Sequence, residues 1–355
     1  MRTRRGTAVR QCGTADVFGG KRRPGPPPIG PGSFGGTARP DLCVSSVFVT
    51  KVLIDCDPGI DDALALALVA GSPKLDIVGV TTVGGNVDLS LTTANALALR
   101  EFLELGDVPV TPGSPGALMP HTVRAADVHG ATGLGDVVLP VPQRGPSEGH
   151  AVDFIVEALR AAPGEITLVA VGPLTNIALA VRREPRVVEW ARDLVIMGGS
   201  FTRGNTNPAA EFNMLADPEA AAIVFDAGWT VKMLGLDVTL SAVVTSEVLE
   251  RMRPLGRLAE LLVPAAQFYG VVAADGGPAI HDACAVAYVL DPALFTCVPA
   301  VVKVETAGLY TRGMTVTDFK VGDRRPNALV ATSLNVQGFW ELVLGAYGGL
   351  SARLG

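Results

Sequence analysis

The amino-acid sequence predicts an α/β protein with an open, mostly parallel sheet flanked by helices. Two observations lead to this prediction. Short apolar and β-branched runs alternate with helix-forming segments along most of the chain, which is typical of parallel strands joined by crossover helices. Several of these runs also end in glycine or polar residues, and in such sheets functional groups collect at the carboxyl ends of the strands.

The first strand and helix are predicted from residues 51–66. Lys51–Ile54 is a short, largely apolar run of the kind that forms a buried strand. Pro58-Gly59 then ends the strand. From Asp61 onward the sequence is rich in strong helix formers and opens with two acids, which the amino terminus of a helix prefers. We therefore expect a strand, a tight turn and a helix.

The alternation continues to the end of the chain. We predict strands at 76–83, 108–110, 166–171, 193–199 and 230–237 and around Val301 and Leu329, and helices at 89–105 and 151–161, from Gly172, from Asp217, over about 246–270, from His281 and through Trp340. The segment at 246–270 is the helical region that we expect near the rim of the functional site.

Four acids lie within eight residues at the first turn: Asp55, Asp57, Asp61 and Asp62. Crowded like charges are unfavourable without compensation, so three or four converging carboxylates favour a bound cation. The ligands would all be oxygens, with no paired Cys or His nearby, which suits Ca²⁺ or Mg²⁺ rather than Zn²⁺. The alternative is an acidic helix cap on a surface loop.

Three further segments carry polar groups that suit a binding site. The strand at 76–83 ends in Gly-Gly-Asn86, and the loop 204–213 combines several amides with Glu211, a set that could hold the hydroxyl groups of a sugar. The loop composition is equally typical of a turn-rich surface. His281 and Asp282 open an apolar helix, where a metal or substrate role competes with simple helix capping.

A glycine-rich loop at 128–135 contains His129, one of only four histidines. Its glycine spacing is too weak to predict a phosphate-binding loop, because no strand closely precedes it and no Lys-Ser/Thr pair follows it. A loop of this kind is a plausible lid over a pocket.

Composition excludes several classes of function. The net charge of −6 argues against a general nucleic-acid or membrane-surface binder. No apolar run reaches the roughly 18 residues that a membrane span requires. The five cysteines are odd in number and lack CxxC spacing, so we expect reduced thiols, no zinc site and a cytoplasmic protein.

Residues 1–46 differ from the rest of the chain. They contain eight Lys and Arg residues and a Pro/Gly-rich run at 23–32, a composition that cannot form a packed core, so we expect a disordered extension. The Arg4-Arg5 pair lacks the apolar segment of an export signal. We expect residues 47–355 to form a single catalytic domain.

The motifs together resemble the inosine-uridine preferring nucleoside hydrolase family. The resemblance covers about residues 50–350 and is carried by segments in the family's order: 55–63 (Asp-Cys-Asp-Pro-Gly-Ile-Asp-Asp-Ala), Thr82–Asn86, Val171–Asn176, Met197-Gly-Gly, Gly204–Asn213 and His281–Tyr288. It implies a Rossmann-like core with Ca²⁺ at the carboxyl edge of the sheet.

The resemblance also implies a role for individual residues. The metal ligands would be Asp57, Asp61, Asp62, Asp282 and the backbone carbonyl of Val171, where the family often has Thr. Ribose would be bound by Asn86, Asn205, Glu211 and Asn213, with Met197 as an apolar contact under the sugar. Asp55 would orient the metal ligands without binding the ion itself.

The implied reaction is hydrolysis of the N-glycosidic bond of a ribonucleoside, with Asp57 as general base toward the attacking water. His281, with Tyr269 nearby, or else His129, would assist the leaving base; the sequence does not decide between the two histidines, nor between purine and pyrimidine bases. By analogy the protein would be a homodimer or homotetramer.

Two alternatives stay open at this point. The Asp-x-Asp motif after a strand also occurs in metal-dependent phosphohydrolases, although these need a downstream Lys and Thr/Ser. A non-catalytic protein that binds calcium or a nucleoside would retain the same ligands.

Overall fold

A nine-stranded sheet forms the centre of the computed structural model, which describes residues 49–120, 123–272 and 277–355. The expectation for residues 1–46 lies outside the described residues. The strands are β1 (Thr50–Cys56), β2 (Leu75–Thr82), β3 (Val110–Pro112), β4 (Ile166–Ala170), β5 (Asp193–Met197), β6 (Val231–Leu234), β7 (Phe295–Val304), β8 (Thr315–Asp318) and β9 (Ala328–Leu334).

The strand order is β3-β2-β1-β4-β5-β6-β9-β7-β8. Every pair from β3 to β9 is parallel, whereas β7 is antiparallel to both β9 and β8. The chain builds outward from β1 to β3 on one side and then returns to place β4 on the other side of β1. This reversal opens a crevice at the carboxyl ends of β1 and β4, the usual place for a ligand in an open α/β sheet. The predicted fold class is confirmed.

Helices cover both faces of the sheet. They are α1 (Ile60–Gly71), α2 (Leu89–Phe102), α3 (Ala126–His129), α4 (Ala151–Ala161), α5 (Thr175–Arg183), α6 (Val187–Trp190), α7 (Phe212–Ala216), α8 (Pro218–Phe225), α9 (Leu236–Thr239), α10 (Ser246–Met252), α11 (Gly256–Val272), α12 (His281–Leu290) and α13 (Val336–Leu354), with a 3₁₀ turn at Pro292–Leu294. None of the helices in the described ranges is both long and apolar enough to cross a membrane.

Side-chain alternation along the strands creates two apolar cores. Val52 and Ile54 of β1 belong to the core that α1, α2, α11, α12 and α13 cover, whereas Leu53 belongs to the core under α4, α5 and α8. Successive residues of a strand point to opposite faces, and both faces of a parallel sheet are covered by helices. The continuous apolar run in the sequence therefore follows from burial on both sides.

Helix α1 is buried along its whole length, because it packs between the sheet, α12 and α13. At the far end of the chain, the Tyr347 hydroxyl donates a hydrogen bond to the Leu64 carbonyl at 2.9 Å. This packing fixes the direction of α1 and hence the position of the acids in its first turn.

Several predicted strand and helix ends differ from the structure by two or more residues. The strand predicted at 108–110 lies two residues later, at Val110–Pro112, because these are the residues that pair with Val80–Thr82 of β2. The strand predicted at 230–237 ends at Leu234, and Gly235 starts α9. The mainly helical segment predicted over about 246–270 is confirmed, and it consists of two helices, α10 and α11, separated by a turn at 253–255.

Candidate active site

The strand ends of the parallel sheet converge on one cleft of about 480 Å³. Asp57 follows β1, Asn86 follows β2, Val171 follows β4 and Met197 ends β5. The cleft contains eleven of the predicted site residues: Asp61, Asn86, His129, Val171, Met197, Asn205, Glu211, Asn213, Tyr269, His281 and Asp282. The other three, Asp55, Asp57 and Asp62, are buried and do not line it.

Three buried carboxylates meet at the floor of the cleft. Asp61 and Asp62 lie in the first turn of α1, and Asp282 lies in the first turn of α12. One oxygen from each lies within 4.8 Å of the other two, a spacing that allows one metal ion to be held. None of these acids takes part in an ion pair within the described part of the chain.

Burial dominates the electrostatics of the acids. Burial and repulsion from Asp62 raise the pKa of Asp61 to about 8, and burial raises the pKa of Asp62 to about 6. The pKa values of Asp57 and Asp282 are also raised well above their usual range, by burial and by the neighbouring carboxylates. A cation would lower these pKa values and keep the acids ionised. The all-oxygen donor set therefore fits a hard divalent cation.

The turn at residues 57–62 is fixed by its own backbone. The amides of Asp57 and Gly59 donate to the two oxygens of Asp62 at 3.2 and 2.8 Å. The Asn86 side chain donates to the same carboxylate at 3.1 Å, and the Asn86 amide donates to Asp57 Oδ2 at 2.6 Å. These hydrogen bonds join the segment that follows β1 to the segment that follows β2.

Glycines leave the space that Asp57 occupies. A Cβ atom on Gly85 would lie 2.0 Å from Asp57 Oδ2, and one on Gly172 would lie 2.5 Å from Oδ1. The Gly-Gly-Asn end of β2 and the glycine after β4 are therefore needed for this carboxylate to fit between them.

Glu211 and Asn213 form the opposite wall. Glu211 caps α7 and accepts hydrogen bonds from the amides of Gly199, Asn213 and Met214 at 2.9 to 3.1 Å. Asn213 Nδ2 donates to the Val171 carbonyl at 2.7 Å and to the Met197 carbonyl at 3.2 Å. Burial raises the pKa of Glu211 to about 7, although the backbone amides oppose the shift.

Asn205 is exposed and its Oδ1 accepts from the Phe212 amide at 2.9 Å. This bond folds the loop 204–213 back on itself at the mouth of the cleft. The loop is exposed near its beginning, at Asn205, and buried near its end, at Glu211.

The two cleft histidines are buried and neutral. His129 Nδ1 accepts a hydrogen bond from the Ile60 amide at 3.1 Å, so the proton of the neutral ring lies on Nε2. His281 Nδ1 lies 2.8 Å from the Thr239 hydroxyl. Burial lowers the pKa of each histidine to about 4, with repulsion from His281 adding to the effect at His129. Tyr269 lies beside His129, with ring centroids 5.9 Å apart.

Asp55 lies within β1, which extends two residues beyond the strand predicted at Lys51–Ile54. Its Oδ1 accepts from Thr81 Oγ1 at 2.6 Å and from Asn176 Nδ2 at 2.8 Å, while Oδ2 has no partner among the described residues. Burial raises its pKa to about 7. Its direct partners are therefore a strand and a helix terminus, and its predicted orienting role remains a prediction.

Sequence reasoning missed several residues of the cleft. Arg124 and Arg203 lie at its lining with Phe212, Leu240 and Ala279. Phe212 lies inside the amide-rich loop that the sequence did indicate. Arg203 directly precedes the predicted loop 204–213, whereas Arg124 lies outside every predicted segment, and only the folded chain places both at the cleft.

The fold and the cleft define an α/β protein with an oxygen-rich, acidic site at the carboxyl ends of β1 and β4. The chain belongs to the inosine-uridine preferring nucleoside hydrolase family, whose model matches residues 52–341. This membership confirms the predicted family and enzyme class, and neither a phosphohydrolase nor a non-catalytic binding protein finds support in it.

Individual relatives agree with this assignment. The chain is similar to an inosine-uridine preferring nucleoside hydrolase from Leishmania major, with 41% identity over 303 residues that cover 83% of this chain and 96% of that protein. It is 42% identical to a pyrimidine-specific ribonucleoside hydrolase RihA from Citrobacter koseri, covering 82% and 96%. A solved purine-preferring ribonucleoside hydrolase from Gardnerella vaginalis superposes with a TM-score of 0.81 at 33% identity, covering 86% and 100%.

Proposed function

We propose that the protein hydrolyses the N-glycosidic bond of ribonucleosides, releasing the free base and ribose, with Ca²⁺ as its cofactor. The observation that carries the proposal is the cluster of Asp61, Asp62 and Asp282 at the floor of a cleft whose wall is built from amides and Glu211. The ion would be held by Asp57, Asp61, Asp62, Asp282 and the Val171 carbonyl. Bound Ca²⁺ would orient and polarise a water molecule and two ribose hydroxyls.

Asp57 is the general base of this proposal. Its Oδ2 accepts the short hydrogen bond from the Asn86 amide, whereas its Oδ1 has no hydrogen-bond donor within the described ranges. We therefore assign the proton of the attacking water to Oδ1. The surrounding carboxylates stabilise the positive charge that develops on the ribosyl group as the bond to the base breaks.

The wall of the cleft would select ribose. Glu211 is fixed by three backbone amides and Asn213 by two carbonyls, so neither needs to reorganise when a sugar binds. Polar groups arranged for a hydroxyl are left unpaired when it is missing, which in favourable cases costs roughly 10⁴-fold in kcat/KM. We expect a 2′-deoxyribonucleoside to be a poor substrate for this reason.

Either histidine can assist the departing base. Both are neutral at pH 7, so each can present an N–H to a ring nitrogen or oxygen of the base. p-Nitrophenyl riboside separates the two, because its leaving group needs no proton. The histidine whose alanine variant loses activity on inosine but keeps it on p-nitrophenyl riboside is the one that assists the base.

Release of free base from inosine, adenosine, uridine, cytidine and 2′-deoxyuridine tests the proposal directly. We expect hydrolysis of ribonucleosides that a chelator abolishes and calcium restores, and a loss of roughly 10²- to 10⁴-fold in kcat for Asp57→Asn. Asp217→Asn is the matched control, because Asp217 is a fully buried carboxylate that caps α8 and does not line the cleft. No release of base from any riboside by the calcium-loaded protein would refute the assignment.

The same panel ranks the bases. The relatives are named for inosine and uridine, for pyrimidines and for purines, so their names do not fix the preference of this chain. A homodimer or homotetramer and a cytoplasmic location stay predictions, and light scattering of the purified protein would decide the first.

A further inference from the structure

Asn95 of α2 connects two segments that build the cleft. Its Nδ2 donates one hydrogen bond to the Pro58 carbonyl at 2.9 Å and another to the Thr132 carbonyl at 2.8 Å. Pro58 belongs to the turn that carries Asp57, and Thr132 belongs to the glycine-rich loop 128–135 that contains His129. Asn95 itself is buried and does not line the cleft.

The contact is close enough to require glycine on the loop side. Gly133 has a φ of +89°, and a Cβ atom there would lie 2.9 Å from Asn95 Nδ2 and 3.3 Å from the Pro58 carbonyl oxygen. A side chain at this position would be strained in its backbone and would separate the loop from the turn. The loop, the turn and α2 therefore meet at one point.

A second contact joins the same two segments at the other end of the loop. His129 Nδ1 accepts from the Ile60 amide at 3.1 Å, and a Cβ atom on Gly59 would lie 2.6 Å from that nitrogen. The His129 contact is a single, longer hydrogen bond, whereas Asn95 supplies two shorter ones. If the Asn95 bonds are lost, the Ile60 bond is the one hydrogen bond among the described residues that still joins the imidazole to the start of α1, while the Ala125 amide, bonded to the Asn86 carbonyl at 3.1 Å, still anchors α3.

We propose that Asn95 is a positioning residue for His129: by joining the Pro58 turn to the Thr132 loop, it holds the imidazole over the amino terminus of α1 and within the cleft. Asn95 acts through these two carbonyls and touches no substrate. The kinetic part of this inference rests on the proposed function, whereas the structural part does not.

The test compares Asn95→Leu with Asn327→Leu. Leucine has the same branching and the same number of side-chain heavy atoms as asparagine but removes both donors. Asn327 is a matched control, because its Nδ2 also donates to two backbone carbonyls, those of Phe225 and Val302, at 2.9 and 2.8 Å, and it does not line the cleft. We expect Asn95→Leu to lower kcat/KM for a ribonucleoside roughly 10- to 100-fold, mainly through kcat, as residues that orient active groups do. Asn327→Leu should stay within about 3-fold of wild type, since additivity and independence are expected for distant sites.

A double-mutant comparison tests whether Asn95→Leu lowers kcat/KM through His129. In a His129→Ala background, Asn95→Leu should lower kcat/KM by less than about 3-fold, because the group that it positions is already absent. If the losses from the two substitutions multiply in full, Asn95 does not act through His129 and the proposal is wrong.

Hydrogen exchange gives a readout that needs no substrate. The Ile60 amide donates to His129, and the Gly135 amide donates to the His129 carbonyl at 2.8 Å, so both should exchange faster in Asn95→Leu and not in Asn327→Leu. Unchanged exchange at both amides in Asn95→Leu would overturn the proposal. Faster exchange at both, in a protein that hydrolyses no riboside, would support the positioning role and refute the proposed function alone.

Discussion

Replacing Gly85 by alanine should displace the carboxylate of Asp57. The new methyl group would lie 2.0 Å from Asp57 Oδ2 and 2.8 Å from Cδ of Pro173. Gly85 is not among the residues with positive φ, so the backbone can accept alanine and the effect is one of space alone. An ordinary contact begins near 3.4 Å, so the carboxylate and the methyl group must separate by about 1.4 Å.

The carboxylate has little room to move away. Its Oδ2 accepts from the Asn86 amide at 2.6 Å, and Gly172 packs against Oδ1 on the other side. Overpacking of this kind costs about 1–3 kcal/mol of stability. A misplacement of about 1 Å in a reacting group can cost about 10²-fold in rate. We therefore expect Gly85→Ala to fold with reduced stability and to lose about 10²-fold in kcat/KM.

Steady-state kinetics with inosine and uridine, together with calorimetric titration of calcium, measure the effect. Gly345→Ala is the control, because Gly345 is exposed within α13 and a Cβ atom there meets nothing within 4 Å. Alanine in that helix should stabilise the protein by about 0.5–1 kcal/mol and leave kinetics unchanged. Wild-type kcat/KM and calcium affinity in Gly85→Ala would refute the geometry on which the role of Asp57 rests.

Three further predictions concern stability. Asp282→Asn should raise the melting temperature relative to wild type in chelator, because it relieves repulsion among buried acids. In calcium at 100 times the dissociation constant of the proposed site, which would stabilise wild type by about 2.7 kcal/mol, the variant should melt below wild type. The same order of melting temperatures in both conditions would contradict this. Burial holds the pKa of His129 near 4, below its unfolded value of about 6.5, so its contribution is complete above pH 6.5 and is lost as pH falls to 4. The unfolding free energy of wild type minus that of His129→Gln should fall across this window, and a flat difference would be inconsistent with a neutral, buried ring. Tyr347→Phe should cost about 1 kcal/mol in denaturant unfolding, because the Leu64 carbonyl loses its donor, and a neutral result would show that water replaces it.

Sequence periodicity predicted the sheet, whereas the resemblance to a known family implied most of the predicted cleft residues. Asp57 and Asn86, which follow the first two strands, could be placed together because the carboxyl ends of parallel strands share one edge. The two helices opened by Asp61 and His281 could be placed because acids and apolar runs mark a helix start. These signals are local, and the structure confirms the strands and helices that they predicted.

Contacts between distant segments left no local signal. Thr239 lies beside His281, Asn176 donates to Asp55 and Asn95 donates to Thr132, and each pair is separated by 37 or more residues. Such bonds depend on crossover geometry and not on periodicity. Short elements were missed for a related reason: α7 exists because Glu211 caps it, and a single capped turn has too few residues to show a helical period.

The acidic cluster takes its members from the first helix of the domain and from a helix that enters the chain much later. During synthesis, Asp61 and Asp62 leave the ribosome long before Asp282, so the cluster of three acids cannot be complete until α12 has emerged and packed against α1. A cation bound by all three acids would therefore stabilise only the finished fold and could not guide the early steps of folding. Helix α1 packs against α12 and α13, the last two helices of the chain, so the acids of its first turn acquire their final neighbours only late in synthesis.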